Sequence, residues 1–191
     1  GGGYGGTYVK CHVIGNTGYH GGGGLGSSDA TTALVVENCW IEGNFATNGT
    51  YGGGGVLGIA STRIVNCVVT NNTATTAGGG LHAVNGSYTA EKCQIVGNTA
   101  GTKGGGASES SLTDCLVAGN SARLYGGGVC GKDSNGSSIA SYVQTDCVIS
   151  NNTIGGTFTS EDKNAPGGAG ATFVTLNGGR VTMNLTTIDN E

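Results

Sequence analysis

Short apolar runs with a period of two recur along this chain, and apolar residues nowhere keep helical spacing for two turns. In each run a small apolar residue is followed two positions later by a branched one, as in Cys67 and Val69. Residues two apart lie on the same side of a β-strand. The pattern therefore predicts short strands that each bury a cysteine and a branched side chain on one face.

The cysteines reveal that these strands belong to one repeated unit. Six of them lie 28, 28, 26, 22 and 32 residues apart, and each is followed five positions later by an asparagine. A small residue and a glycine cluster then follow in most copies, and a seventh copy has Leu185 in place of the cysteine and keeps Asn190. The repeated pairs are Cys11 and Asn16, Cys39 and Asn44, Cys67 and Asn72, Cys93 and Asn98, Cys115 and Asn120, and Cys147 and Asn152.

A repeat of this length is typical of solenoids, propellers and arrays. Glycine supplies 41 of the 191 residues, which argues against helices, because glycine loses the most backbone entropy there. Short strands separated by glycine corners favour a parallel β-helix in which each coil pairs only with its neighbours. We predict an all-β, single-stranded parallel β-helix of about seven coils, with residues 1–191 forming one repeat domain that is either a piece cut from a longer array or a mature product without its targeting segments.

The cysteines and asparagines are predicted to point inward and to stack as a structural ladder. In a coil such as residues 55–80, the amide of Asn72 would lie between its copies in the coils above and below, so a buried amide is satisfied by its neighbours. The six cysteines in register are expected to be buried thiols, with a disulfide between adjacent coils as the alternative. Cys130 lies out of register and is expected to be exposed or paired.

The residue after each cysteine is predicted to point outward, so these residues would form one row along the coil. We interpret this row as a candidate contact face for another chain or a glycan, with Trp40 stacking on the partner. The alternative is a β-surface that tolerates branched residues and has no partner. The row consists of His12, Trp40, Val68, Gln94, Leu116, Val148 and Thr186.

Two motifs carry a resemblance to a known group of proteins. The segments N-C-V-V-T-N-N-T-A-T-T-A-G-G-G and D-C-L-V-A-G-N-S-A-R-L-Y-G-G-G-V resemble the repeats of bacterial right-handed parallel β-helix surface proteins. That group includes the chlamydial polymorphic membrane proteins and large adhesin-like proteins of environmental bacteria. The resemblance covers essentially the whole chain and implies a right-handed coil that is secreted or displayed on the cell surface.

Charge and composition narrow the function. The net charge is −4 and there is no basic run, so neither nucleic acid nor an anionic membrane is an expected partner. No apolar stretch is long enough to span a membrane. No cofactor is expected, and no metal site, because His12, His20 and His82 occupy unrelated positions of the repeat. Asp114 and Asp146 share the position before the cysteine, which indicates a solvated row or a cation site.

Three functions remain open at this point. The first is an extracellular structural or adhesive β-helix, and the second is a subunit that stacks head-to-tail into a fibre through its unpaired strand edges. The third is a polysaccharide-active enzyme, although the sequence lacks the clustered carboxylates and basic residues that such sites need. Two insertions, 132–141 and 153–166, break the repeat and are predicted to be loops, which in solenoids often lie on the binding face.

Overall fold

In the computed structural model, the chain is a parallel β-solenoid, as the repeat predicts. The structure describes residues 1–27, 32–47, 51–59, 61–84, 88–131, 142–155, 172–173 and 183–188. Every strand within these ranges pairs in parallel with its equivalent one repeat away, and no helix occurs among them. The all-β prediction is therefore confirmed, and the right hand of the coil stays a prediction.

Five windings carry the same four strands. The first consists of β1 (Gly3–Tyr4), β2 (Gly6–Val9), β3 (His12–Ile14) and β4 (Thr17–Gly18). The second consists of β5 (Leu25–Gly26), β6 (Leu34–Glu37), β7 (Trp40–Glu42) and β8 (Phe45–Ala46). The third consists of β9 (Val56–Gly58), β10 (Thr62–Val65), β11 (Val68–Thr70) and β12 (Thr73–Ala74). The fourth and fifth comprise β13 (Leu81–Ala83), β14 (Thr89–Glu91), β15 (Gln94–Val96), β16 (Thr99–Ala100), β17 (Ala107–Ser108), β18 (Ser111–Thr113), β19 (Leu116–Ala118) and β20 (Ser121–Ala122).

The remaining strands are less regular, so the predicted count of about seven coils is slightly too high. After β21 (Val129–Cys130), the two middle strands of the sixth winding merge into β22 (Gln144–Ser150), which is followed by β23 (Thr153–Ile154). Beyond it the structure describes only β24 (Thr172–Phe173) and β25 (Met183–Ile188). Five complete windings are thus followed by one irregular winding and part of another.

The strands form three parallel sheets that run along the coil. Sheet A contains the first strand of each winding, from β1 to β24, and sheet C contains the last, from β4 to β23. Sheet B contains the second and third strands as two rows that join at β22, where β25 also pairs. The predicted insertion 153–166 is wrong at its start, because Thr153 and Ile154 pair in register with Ser121 and Ala122. Insertion 132–141 and residues 156–166 lie outside the described residues.

Three left-handed backbone positions bend each winding between its sheets. One is the residue before each cysteine, a second is the residue before each asparagine, and a third is the first glycine of the triplet that ends the glycine cluster. In the third winding these are Asn66 (φ 51°), Asn71 (φ 54°) and Gly53 (φ 77°). Glycine adopts this region without strain, and asparagine and aspartate tolerate it better than other residues do. These residue types therefore recur at the corners.

The glycine that ends each cluster leaves room for the asparagine of the same winding. A Cβ on Gly80 would lie 2.6 Å from the carbonyl oxygen of Gly106 and 3.1 Å from the side-chain amide of Asn98. Gly55 stands in the same relation to Gly80 and Asn72. A larger residue would therefore push apart two windings and displace the buried amide.

The interior is one narrow core of stacked apolar side chains. Leu25, Val56 and Leu81 fill it from sheet A, and Ile41, Val69, Ile95, Val117 and Ile149 fill it from sheet B, all essentially without exposure. Tyr8 and Cys11 of the first winding pack against this core while half-buried. The inward positions predicted for the cysteines and the branched residues are therefore where the structure places them.

Candidate functional site

The outward row runs along sheet B, perpendicular to its strands. Its members pair in register: His12 with Trp40, Trp40 with Val68, Val68 with Gln94, Gln94 with Leu116, Leu116 with Val148, and Val148 with Thr186. Trp40, Leu116 and Val148 are 41%, 37% and 40% exposed, and Val68 is half-buried. The row is therefore a continuous and partly apolar strip, about one residue wide.

Trp40 is oriented by its neighbours on this strip. Its Nε1–H donates to Oε2 of Glu42 at 2.8 Å, and its ring lies 6.5 Å from the imidazole of His12 at an interplanar angle of 38°. Because the one polar atom of the indole already has an acceptor, the surface that Trp40 offers to a partner is its carbon framework. Such a surface suits stacking against an apolar or carbohydrate ring.

The asparagines form a hydrogen-bonded ladder inside the coil. Asn72 Nδ2 donates to Asn98 Oδ1 at 3.0 Å and to the carbonyl of Ile41 at 3.0 Å. Its Oδ1 accepts the backbone N–H of Asn44 at 3.0 Å and the Nδ2 of Asn44 at 2.9 Å. All four capacities of the buried amide are used, which is the arrangement that makes burial of such a group tolerable.

This ladder is continuous and has one direction. In each step an amide donates to the Oδ1 of the following winding, from Asn16 through Asn44, Asn72, Asn98 and Asn120 to Asn152. Among the described residues, no donor reaches the Oδ1 of Asn16, which is half-buried. The ladder thus begins with an acceptor that has no protein donor within the described part of the chain.

The cysteines form a second stack, here called the cysteine column, on the sheet B side of the interior. All six are free thiols in the structure, which favours the buried-thiol alternative over the disulfide. Backbone N–H groups of Cys11, Cys39 and Cys93 donate at 3.4 Å to the sulfurs of Cys39, Cys67 and Cys115 in the following windings. Each thiol of the column also donates to the carbonyl two residues before it, for example Cys67 to Val65 at 3.2 Å.

The stacked thiols influence one another's protonation. The neighbouring thiols raise the pKa of Cys93 and lower the pKa of Cys67 and of Cys115. The same contact with Cys115 raises the pKa of Cys147. At the other end of the column, burial raises the pKa of Cys39. The protonation of a thiol in the column therefore depends on the thiols next to it.

The charged rows predicted from the repeat lie on the outside. Lys92, Asp114 and Asp146 all precede a cysteine, have left-handed backbone and are exposed. Glu37 and Glu91 share a position of the repeat, but Val65 separates them in the sheet. Glu37 forms an ion pair with Arg63. Asp114 and Asp146 adjoin in neighbouring windings, since Thr113 and Thr145 before them pair in register, whereas the two glutamates are kept apart.

A polar layer outside sheet A is the feature that sequence reasoning missed. His82, Ser108 and Cys130 stand in register on consecutive strands and are buried. Beside them, Nζ of Lys103 lies 2.9 Å from Oε1 of Glu109, and this ion pair is largely buried. A signal was present, because each of the three residues stands second after a glycine triplet, where β9 has Leu57.

Cys130 corrects a prediction, because it is neither exposed nor in a disulfide. It is 0% exposed, and its thiol donates to the carbonyl of Gly131 at 3.2 Å. In the same layer, burial lowers the pKa of His82 to about 4, so this imidazole is neutral at physiological pH. Within the part of the chain that the structure describes, His82 Nδ1 and Ser108 Oγ have no hydrogen-bond partner although both are buried.

Within the described ranges, no three histidine, cysteine or acidic side chains are placed to hold a metal ion together. No helix of membrane-spanning length and polarity occurs in the same part of the chain. No family model, curated protein or solved structure matches the chain. The outward row and the two interior stacks are therefore the features of the molecule that bear on its function.

Proposed function

We propose that this chain is a structural and adhesive β-solenoid of the extracellular space, related to the adhesin-like β-helix surface proteins that its repeats resemble. It presents the outward row as a contact face. The observation that carries the proposal is the register of that row, in which Trp40 adjoins Val68 and Leu116 adjoins Val148 on successive strands, with Gln94 between the two pairs. Exposed apolar residues that adjoin in this way mark interaction sites more often than scattered ones do.

The interior supports this role because it makes the strip rigid. Successive windings are joined by parallel ladders on three sides and by the asparagine ladder within. Equivalent residues in successive windings, which lie on neighbouring strands of a parallel sheet, are about 4.8 Å apart. A partner with its own regular spacing, such as a second copy or a polymeric glycan, could therefore contact several members of the row at once.

The test removes the apolar members of the row and leaves the fold intact. In the variant with Trp40→Ser and Leu116→Ser, we expect loss of the concentration-dependent association that light scattering would detect in the unaltered chain. A matched control changes Tyr19→Ser and Phe45→Ser, two exposed aromatic residues outside the row. If both variants associate to the same extent, the outward row is not the contact face.

A second measurement separates a protein partner from a glycan. Trp40 is the only tryptophan, so its fluorescence reports on this strip alone. If the unaltered chain stays monomeric while oligosaccharides shift the emission, the partner is a glycan. If neither association nor a shift occurs across both experiments, the row is only a β-surface, and the proposal is wrong.

One observation favours a second function, the stacking of copies end to end. The Oδ1 of Asn16 lacks a donor among the described residues, and Asn16, Tyr8, Cys11 and Leu25 line a cavity of about 420 Å³. A winding placed before Asn16, whether from another copy or from the same chain, would supply the missing donor and fill this cavity. Electron microscopy tests the idea, since stacking gives continuous rods, and Asn16→Leu should shorten them or prevent them.

Cleavage of a polysaccharide is the third possibility, and no observation on the described residues favours it over the other two. Its test is incubation of the purified chain with uronic-acid polymers. Unsaturated or shortened products would establish an enzyme and displace the structural role as the main function.

A further inference from the structure

A second row of exposed side chains, charged or amide, borders the outward row on sheet B. It consists of the residues before the six cysteines and is here called the corner row: Lys10, Asn38, Asn66, Lys92, Asp114 and Asp146. All six are exposed and have left-handed backbone. The strands on either side of these corners pair in register, so the two rows run side by side along the axis.

The charges of the corner row are sorted along the axis. The first winding carries Lys10 and the fourth carries Lys92, whereas the fifth and sixth carry Asp114 and Asp146. The second and third windings carry asparagines, whose amides can accept from a cation or donate to an anion. The row therefore begins with a cation and ends with an anion, about 24 Å apart, which is five steps between neighbouring strands.

Two copies of such a surface can face each other in two ways. In a parallel pair each winding faces its own copy, so that Lys10 meets Lys10, Asp146 meets Asp146, and all four charges of the corner row face like charges. Like-charge contacts of this kind disfavour an interface. In an antiparallel pair with all six windings in contact, the first winding faces the sixth, the second faces the fifth, and the third faces the fourth.

We propose that the chain pairs with a second copy through the outward row and the corner row, face to face and antiparallel, with the first winding of each copy against the sixth of the other. Lys10 then faces Asp146 of the second copy, and the twofold symmetry forms this contact twice. Each remaining charge of the corner row faces an amide: Asp114 faces Asn38, and Lys92 faces Asn66. This inference rests on the proposed function, because it names the partner of the outward row.

The same arrangement brings apolar members of the outward row together. Trp40 faces Leu116 of the second copy, and symmetry repeats this contact as well. Val68 faces Gln94 at the centre of the pair, and His12 faces Val148 at its ends. Burial of apolar groups supplies most of the affinity of an interface, whereas complementary charges fix its orientation. The outward row therefore holds the pair, and the corner row determines that it is antiparallel.

The size of the surface predicts a transient pair. Six windings extend about 29 Å along the axis, and the two rows together are about 10 Å wide. This area is well below the roughly 800 Å² that each partner buries in a stable complex. We therefore expect a dimer that exchanges with the monomer and weakens as salt screens its ion pairs.

The experiment is zero-length cross-linking of the unaltered full chain with a carbodiimide, which joins a lysine amine to a carboxylate, followed by peptide mass spectrometry. Lys10 and Asp146 lie about 24 Å apart within one copy, so a direct link between them joins two copies. We expect this link in the cross-linked dimer and a lower yield of it at high salt. Lys92 and Asp114 adjoin within one copy, and their link in the monomer confirms that the reagent reaches the row.

Matched charge variants test the facing pair independently. Lys10→Asp and Asp146→Lys each introduce a residue type that the corner row already carries in another winding, so the left-handed corner accepts both. Each variant alone turns two attractive contacts into repulsive ones and should weaken association about tenfold. An equimolar mixture of the two should associate as the unaltered chain does, because every facing pair again has opposite charges. Arg123→Asp, the same kind of change at an exposed site outside both rows, should have no effect.

The outcomes separate this inference from the proposed function. If the chain associates through Trp40 and Leu116 but no link joins Lys10 to Asp146, the contact face stands and the antiparallel pair is wrong. Single charge variants that associate like the unaltered chain would overturn the pair in the same way. If the chain stays monomeric while oligosaccharides shift the emission of Trp40, the partner is a glycan and the pair is again wrong. Absence of both association and a shift would overturn the contact face and the pair together.

Discussion

The asparagine ladder and the cysteine column occupy equivalent places in the repeat, yet different forces hold them. Both have one member in each winding, and both are buried. Each interior asparagine makes four hydrogen bonds of 2.9–3.0 Å with adjoining windings, as Asn72 does. The cysteines have longer contacts to sulfur, and in the next winding Leu185 pairs with Cys147 in the register of the column.

The difference shows that residues with the same period in the sequence are not equally restricted in the substitutions they tolerate. An amide that is satisfied by its own copies and by backbone groups of the adjoining windings has no substitute among the other side chains, because no other residue offers two donors and two acceptors of that shape. A small apolar group in a column can be replaced by another of similar size. Substitutions in the two stacks should therefore have unequal effects, and four changes test this.

The largest effect is expected from Asn98→Ala. It leaves the backbone N–H and the Nδ2 of Asn72 without their acceptor inside the coil. Each orphaned buried group costs about 1–3 kcal/mol, so the free energy of unfolding should fall by about 4 kcal/mol. Urea denaturation followed by circular dichroism measures the change. Gln94→Ala removes an exposed amide in the same winding and should change stability by less than about 0.5 kcal/mol.

His82 allows a buried polar group without a hydrogen bond to be compared with the satisfied asparagines. It is buried like them, but its Nδ1 has no partner among the described residues. The folded state keeps it neutral down to a pKa of about 4, whereas the unfolded chain takes up the proton near pH 6.5. The unfolded state therefore binds more protons between these values, and stability falls as pH is lowered from 6.5 to 4, by about 3 kcal/mol.

The variant that tests this is His82→Leu, since Leu57 occupies the same register position one winding earlier. Its denaturation midpoint should lose most of the acid dependence in this range. The exposed His12, changed to leucine in the same way, is the control for loss of an imidazole. An unaltered pH profile in the His82 variant would mean that burial of this ring does not control acid stability.

A third effect should come from Gly80→Ala, which acts on the asparagine ladder from outside. The new Cβ would meet the carbonyl oxygen of Gly106 at 2.6 Å and the amide of Asn98 at 3.1 Å. Overpacking of this kind costs about 1–3 kcal/mol. Gly43→Ala is the control, since a Cβ there meets nothing within 4 Å, and its cost is limited to the left-handed backbone (φ 61°). Equal losses in the two variants would contradict the close approach.

The smallest effect is expected from Cys93→Ala, the cysteine-column counterpart of Asn98→Ala. It removes one buried sulfur and leaves a small gap, which should cost about 1 kcal/mol in the free energy of unfolding. The measurement is the same urea denaturation. If Cys93→Ala proved as damaging as Asn98→Ala, the contrast between the two stacks would be wrong.

The fold could be predicted from the sequence because its period is local and its residue types are specific. Cysteine and asparagine five positions apart place one inward strand and one turn in each winding, so register follows from counting. The two-residue strands of sheet C, such as Thr73–Ala74, were not predicted as strands. They are too short for a period of two to be visible, and their pairing follows from the asparagine ladder that precedes them.

The polar layer outside sheet A could not be predicted, since burial there depends on residues far apart in the chain. Cys130 stands out of register with the other cysteines, and nothing next to it in sequence indicates which residues bury it. Tyr142 OH lies 3.5 Å from Oε2 of Glu109, and the Lys103 ion pair adjoins it, so the layer is assembled across windings. The repeat in the sequence shows only the features that all windings share, whereas the residues of this layer occur in single windings.

The single direction of the asparagine ladder has a consequence for assembly. All amide dipoles of the file point the same way, so they add along the axis and polarise one another as the file lengthens. If a copy were stacked on one end in the reversed orientation, an asparagine amide oxygen would face another amide oxygen, or an amide N–H would face another N–H. The interior alone would therefore disfavour an inverted copy. A stack of copies would grow with a single polarity, and no surface residue would be needed to set it.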